Sequence, residues 1–280
     1  MIKLGIFGDQ TTNPEVLGRL KKMPEIEPAG VYFSGNANVP GGFAEFASPN
    51  ELMDRSDAIL FLSDKSISNE LVRLILRKSK HIYLKTIPNL QVREIKELID
   101  LEKEAGIVTF IYNPFNYIAH FNPFSTHYEK PFLINLRTCF EASTIKPSHE
   151  LLLLVTALNR LVQSNCKKTD VFGLREKGTN LILSLRIEYD NGCVINLTLS
   201  LEKVPGYCEI FDQKECIKFE YKEPLYIMYP HLNQEYASIT NFIRLIQNED
   251  KKENSFDNLL SGVQTVHEIR EHLRFNGIDF

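Results

Sequence analysis

Along the first 111 residues, short unbroken apolar runs alternate with stretches whose apolar residues recur at helical spacing. The runs at residues 2–7, 30–33, 58–62, 81–84 and 107–111 have the length of buried strands. Between them, residues 14–22 form a first helix, and Ser48-Pro49-Asn50-Glu51 opens a second with a capping serine and an early proline. Ser66 is placed to cap a third helix, with Leu71, Leu74, Ile75 and Ser79 near one face. A fourth carries Val92, Ile95, Leu98, Ile99 and Leu101 and stops at Ala105-Gly106, where glycine suits the residue that ends a helix. Five strands alternating with helices predict a doubly wound parallel α/β sheet.

Beyond Asn113 the texture changes. An aromatic, Asn- and Pro-rich connection runs through Phe115, Tyr117, His120, Phe121, Pro123 and Phe124, and places a domain boundary near residue 120. A strand near 132–139 and a helix near 149–162 follow. Then Leu181, Leu183, Leu185, Ile187 and Tyr189 alternate with Ile182, Ser184, Arg186 and Glu188, and after Asp190-Asn191-Gly192 the alternation resumes from Cys193. Period two on both sides of an Asn-Gly turn predicts an antiparallel hairpin. One face meets a core; the other, rich in Ser, Thr, Asn and Arg, is open to solvent, ligand or a second subunit. Helices at 235–247 and 258–274 close the chain. The expected organisation is a parallel α/β domain over 1–120 and an α+β domain with a mainly antiparallel sheet over 121–280.

The chain has 280 residues, 43% hydrophobic and 24% charged, enough for two modest cores. Its formal charge of −4 is massed in neither half, so no footprint for nucleic acid or an anionic membrane appears, and a small molecule or a protein is the expected partner. A single early lysine, a short apolar run and polar residues after it match neither a secretory signal nor a membrane anchor; the expected location is cytoplasmic. Cys139, Cys166, Cys193, Cys208 and Cys216 lack C-x-x-C spacing and read as buried small hydrophobes, with no disulfide framework and no metal expected. The chain contains no G-x-S-x-G, P-loop or H-E-x-x-H pattern, which argues against hydrolase, phosphotransferase and zinc-protease chemistry.

Gly5-Ile6-Phe7-Gly8, followed by Asp9-Gln10-Thr11-Thr12-Asn13, begins as a Rossmann dinucleotide-binding turn does. In the full G-x-G-x-x-G turn the second glycine admits the pyrophosphate and the third packs the helix on the strand. Counted from Gly8, those places hold Gln10 and Asn13, and Asp9 adds negative charge beside a helix N-terminus that otherwise attracts anions. At the end of the second strand, where NAD-binding chains carry an acidic residue for the ribose, this chain reads Ser34-Gly35-Asn36. Without that carboxylate a 2′-phosphate is easier to accept, which gives NADP a slight preference over NAD.

Ser56-Asp57-Ala58-Ile59-Leu60-Phe61, followed by Lys80-His81-Ile82-Tyr83-Leu84-Lys85, resembles the glucose-fructose oxidoreductase and inositol dehydrogenase (Gfo/Idh/MocA) family. Residues 91–106 are similar to the helix after that family's Glu-Lys-Pro motif, and 239–247 and 259–273 to its closing helices. The resemblance implies a Rossmann domain followed by a domain built on a large, mainly antiparallel sheet. It also implies NAD or NADP as cofactor, a sugar-like or small carbonyl or hydroxyl substrate, and a homodimer or higher homo-oligomer formed through the C-terminal sheet.

Read without gaps, Lys85, Thr86 and Ile87 fall at the Glu, Lys and Pro places, so the lysine comes one residue early. It faces the other side of the strand unless a bulge restores its direction. Of the family's Asp-x-Gly-x-His-x-x-Asp motif, His149 stands alone, with Ile145, Pro147 and Leu152 at the other places, and Asn116 occupies the approximate place of a frequent arginine. The resemblance thus names Lys85, Thr86 and His149 for proton handling. It names Gly5, Gly8, Gln10, Ser34 and Ser63 as cofactor-lining residues. Each has a plainer reading beside it: a solvated lysine at a strand end, an ordinary residue at a helix start, a loop serine. Two functions therefore stand side by side: an NAD(P)-dependent oxidoreductase with degenerate cofactor and catalytic motifs, or a non-catalytic binding or regulatory protein that keeps the fold.

Overall fold

The computed structural model describes residues 1–34, 42–65, 67–118, 131–140, 147–175, 181–200, 202, 204–221, 231–248 and 255–278. The chain divides into two compact units, Met1–Tyr112 with His231–Asp257, and Asn113–Pro230 with Asn258–Phe280. The boundary expected at residue 120, the cap expected at Ser66, and His120, Phe121, Pro123, Phe124 and Ile145 lie outside the described residues.

In the first unit, β1 (Ile2–Gly8), β2 (Ile26–Phe33), β3 (Ala58–Phe61), β4 (His81–Leu84) and β5 (Thr109–Ile111) form a parallel sheet in the order β2-β1-β3-β4-β5. The winding reverses between β1 and β3, and the crevice beyond the carboxyl ends of those strands is where open α/β sheets bind ligands. The intervening helices are α1 (Pro14–Leu20), α2 (Pro49–Asp54), α3 (Asn69–Arg77) and α4 (Val92–Ala105). Asn13, Ser48 and Ser68 cap the first three by accepting from Glu15, Glu51 and Leu71 N–H groups. Gly106, at φ 65°, ends α4 as expected.

Two apolar stripes differ from the expected ones. In α3 the buried residues are Val72, Ile75 and Leu76, whereas Leu74 is 36% exposed. The buried i, i+3, i+4 set is rotated from the Leu71–Leu74–Ile75 face, and Arg73 turns towards α4 and pairs with Glu97. In α4 the stripe Ile95, Leu98, Ile99 is continued by Glu102, not by Leu101.

The first unit is completed by α6 (His231–Gln247), which returns after the second sheet. Its Phe242 lies 5.9 Å from the Tyr83 ring of β4 and 6.3 Å from Phe110 of β5, ring centre to ring centre, and all three are buried. The Tyr83 hydroxyl meets Ser238 Oγ at 2.6 Å, so the one polar atom of this aromatic cluster is satisfied.

The second unit is built on β6 (Leu133–Cys139), β7 (Cys166–Arg175), β8 (Leu181–Tyr189), β9 (Val194–Ser200), β10 (Gly206–Phe211) and β11 (Cys216–Tyr221), in the order β11-β10-β6-β9-β8-β7. All pairs are antiparallel except β6 with β9. The β8–β9 hairpin has the expected register, with Leu183, Leu185 and Ile187 buried opposite Leu199, Leu197 and Ile195. The helices here are α5 (Pro147–Val162) and α7 (Ser255–Phe275). Asn159 of α5 joins layers by accepting from the Tyr189 hydroxyl at 2.5 Å and donating to Ser261 of α7 at 2.9 Å. On the other face of the sheet Ser184, Arg186 and Asn196 are exposed as expected, but Ser200 is buried. That face also bears Phe172 and Leu174 of β7, 70% and 71% exposed. Of the cysteines, Cys139, Cys193 and Cys208 are buried; Cys166 is half-buried and Cys216, at the start of an edge strand, is exposed.

Candidate functional site

The carboxyl ends of β1 and β3 are joined by one buried carboxylate. Asp9, directly after β1, is 1% exposed. Its Oδ1 accepts from the Thr11 N–H at 2.8 Å and the Thr11 hydroxyl at 2.5 Å, and its Oδ2 accepts from the Ser63 hydroxyl at 2.8 Å. Lys65 Nζ stands 3.7 Å from the same Oδ2. Each hydroxyl also works in the other direction: Thr11 Oγ1 accepts from Asp64 N–H and Ser63 Oγ from Lys65 N–H. Burial pushes the Asp9 pKa up, but the Thr11 and Ser63 hydrogen bonds and the Lys65 charge outweigh it, so the net shift is downward and the group is ionised near neutrality.

Gly8 serves this turn. A Cβ there would lie 2.6 Å from Thr12 Oγ1, and that oxygen accepts from the Asp9 N–H. Gly5 sits mid-strand, where a Cβ would lie 2.4 Å from Ser56 Oγ; its missing side chain makes room for the end of α2. Gln10 and Ser34 are exposed, and Ser34 N–H donates to Gly8 O.

Beside this hub lies a second cluster. Lys85, the first residue after β4, pairs with Asp64 at 2.9 Å and with Glu235 of α6 at 3.5 Å. Within β4 the pairing with β3 runs without a register shift. Lys85 therefore continues the alternation of Tyr83 towards α6, and the next residue, Thr86, bonds through its hydroxyl to Lys65 O. Glu235 is 6% exposed, and among the described residues its Oε1 has no hydrogen-bond partner. Burial pushes its pKa up, against the pull of Lys85. A lysine held between two carboxylates, one of them with an open oxygen and a raised pKa, is equipped to pass a proton to or from a hydroxyl.

Lys85, Thr86 and Ser63 are thus brought together with Asp9, Asp64, Lys65 and Glu235. His149 belongs to the second unit, near the start of α5, and burial pushes its pKa down. Glu235 and Asp64 were not among the expected site residues. The signal for Glu235 was available: with Ser238 it interrupts the stripe completed by Ile239, Phe242 and Ile243, and polar residues on a core-facing stripe require partners. Among the described residues no group of three His, Cys, Asp or Glu side chains is placed to hold a metal ion, and no helix is long and apolar enough to cross a membrane.

No protein-family model matches the chain, and no characterised protein matches it by sequence. Solved structures do match in fold. UDP-N-acetylglucosamine 3-dehydrogenase GnnA from Acidithiobacillus ferrooxidans superposes with a TM-score of 0.74 at 13% identity, over 96% of this chain and 97% of that one. The dehydrogenase MviM from Clostridium difficile gives 0.70 at 15% identity, over 97% and 99%. GenD2 from gentamicin A biosynthesis, solved in complex with NAD, gives 0.69 at 9% identity, over 99% and 95%. The fold is shared with these structures: a Rossmann-like parallel sheet followed by a mixed sheet.

Proposed function

We propose that the protein is an oxidoreductase that interconverts a hydroxyl and a carbonyl on a sugar-like small molecule, with a nicotinamide dinucleotide as hydride carrier. The observation that supports it is the Lys85–Asp64–Glu235 cluster beyond the ends of β3 and β4, on a fold shared with a sugar-nucleotide dehydrogenase and with an NAD complex. The donor set fits the reacting end of such a cofactor, because hydride transfer to or from carbon leaves one proton to be moved at oxygen. The cofactor supplies the hydride chemistry when bound. Lys85 would donate a hydrogen bond to the reacting oxygen, and Glu235, through its open Oε1, would take or return the proton. Asp64 would hold the lysine in place.

Thr86 and His149 remain proposed contributors to proton handling; burial keeps the His149 imidazole neutral, the form that accepts a proton. Gly8, Gln10, Ser34 and Ser63 are the proposed cofactor-lining residues. Ser34 follows β2 without a carboxylate, and NADP is accordingly slightly preferred to NAD. The pyrophosphate end fits less well, since Asp9 already engages donors of its turn. A homodimer through the open face of the second sheet, across Phe172 and Leu174, completes the proposal.

Thermal unfolding with millimolar NADH or NADPH tests the cofactor, because a ligand of the folded state raises its stability by mass action. A panel of sugars and nucleotide sugars tests turnover, and Lys85→Met and Glu235→Gln should each lose about a hundredfold in kcat while keeping their cofactor affinity. No stabilisation by either dinucleotide, or full turnover in both variants, would refute the reading.

A further inference from the structure

We propose that Asp9 is a built-in anion that takes the place of a ligand phosphate at the β1–α1 turn and holds down the protein's affinity for dinucleotides. The inference rests on the oxidoreductase reading above. In a Rossmann turn the pyrophosphate is received by backbone N–H groups at the start of the helix. Here the Thr11 N–H donates to Asp9 Oδ1, the Thr12 N–H to Asp9 O, the Asp9 N–H to Thr12 Oγ1 and the Glu15 N–H to Asn13 Oδ1. The facing loop after β3 is engaged too, with Asp64 N–H on Thr11 Oγ1 and Lys65 N–H on Ser63 Oγ. Both hydroxyls in turn donate to the Asp9 carboxylate, so one buried negative charge organises the donors of two loops. Its nearest cation, Lys65, has a side chain 71% exposed and stands 3.7 Å away.

A pyrophosphate entering this crevice therefore meets a fixed carboxylate and committed donors where other Rossmann turns offer open amides. Like charges close together in a partly dry crevice repel strongly. The same carboxylate also fastens the two loops to each other, and the two roles separate by substitution. Asp9→Asn keeps an oxygen for Thr11 and presents an amide that can donate to Ser63 Oγ, so the fastening survives while the charge is lost. Thr11→Val removes the hydroxyl that donates to Asp9 and accepts from Asp64 N–H, so it loosens the fastening and leaves the charge.

NADH and NADPH are titrated calorimetrically into the wild-type protein, Asp9→Asn and Thr11→Val, each first shown to unfold cooperatively. The expected result is weak binding by the wild type, affinity about tenfold or more higher in Asp9→Asn, and little change in Thr11→Val. If the wild type binds and Asp9→Asn binds no more tightly, the inference is overturned and the function stands. An equal gain in Thr11→Val also overturns it, since loop freedom and not charge would then be limiting. If none of the three proteins binds either dinucleotide, the cofactor reading falls and this inference with it.

Discussion

Replacing Glu102 with glutamine should change how the stability of the protein responds to pH. Glu102 occupies the last turn of the core-facing stripe of α4 and is 4% exposed. Its Oε1 accepts from the Thr109 hydroxyl of β5 at 2.6 Å, and among the described residues its Oε2 has no partner. Burial pushes its pKa from 4.5 up to about 7, opposed by the Thr109 hydrogen bond and assisted by the charge of Asp257. The folded chain thus holds this proton more tightly than the unfolded chain, and stability falls as pH rises from about 4.5 to about 7, levelling off above. Between pH 5 and 8 the wild type should lose about 2.5 kcal/mol from this one group, at about 1.4 kcal/mol per pKa unit. Glutamine cannot ionise and keeps the acceptor for Thr109. Any fixed cost of burying its amide offsets the variant equally at every pH. The assay is urea unfolding of both proteins across that range. The stability of Glu102→Gln relative to wild type should climb with pH and then flatten; a difference that stays constant would show that Glu102 is an ordinary carboxylate.

Phe242→Ala should destabilise the first unit by about 3–5 kcal/mol, since a fully buried ring of the Tyr83–Phe110–Phe242 cluster is removed, and the loss is read as a lower denaturation midpoint. A stability change under 1 kcal/mol on the scale of ordinary surface substitutions would mean that α6 is not docked by this ring. Light scattering should give a dimer or a higher homo-oligomer for the wild type and a monomer for Leu174→Glu, which places a charge on the exposed apolar part of the second sheet. A monomeric wild type would rule out that interface.

Much of the fold was legible from local pattern. His81–Leu84, the β8–β9 register and the Gly106 stop depend on period and turn chemistry that neighbouring residues carry themselves. The errors arose where one local pattern allows two solutions. Leu71, Leu74 and Ile75 make as good a stripe as Val72, Ile75 and Leu76, and the choice between them is made by tertiary packing that the local pattern does not carry. Glu102 breaks the apolar pattern of its helix as a carboxylate, although it completes the buried face. At the site, Asp9 and Lys85 were visible as residues out of keeping with their motifs. Their pairings were not: Ser63 lies 54 residues from Asp9, and Glu235, which meets Lys85, sits on a helix no local rule assigns to the first sheet.

The return of α6 sets an order of events during synthesis. The parallel sheet is complete in sequence at Tyr112, but the helix that covers Tyr83 and Phe110 ends at Gln247. At ~5–20 residues per second, that interval is on the order of ten seconds, during which the second sheet is made and an aromatic face of the first waits uncovered. A nascent chain stalled within the second unit should therefore present an apolar surface to chaperones, and the carboxylate that pairs with Lys85 arrives only with the same late helix. Pairing of Lys85 with Glu235 and closure of the first core are one step, taken only after the second sheet has been made.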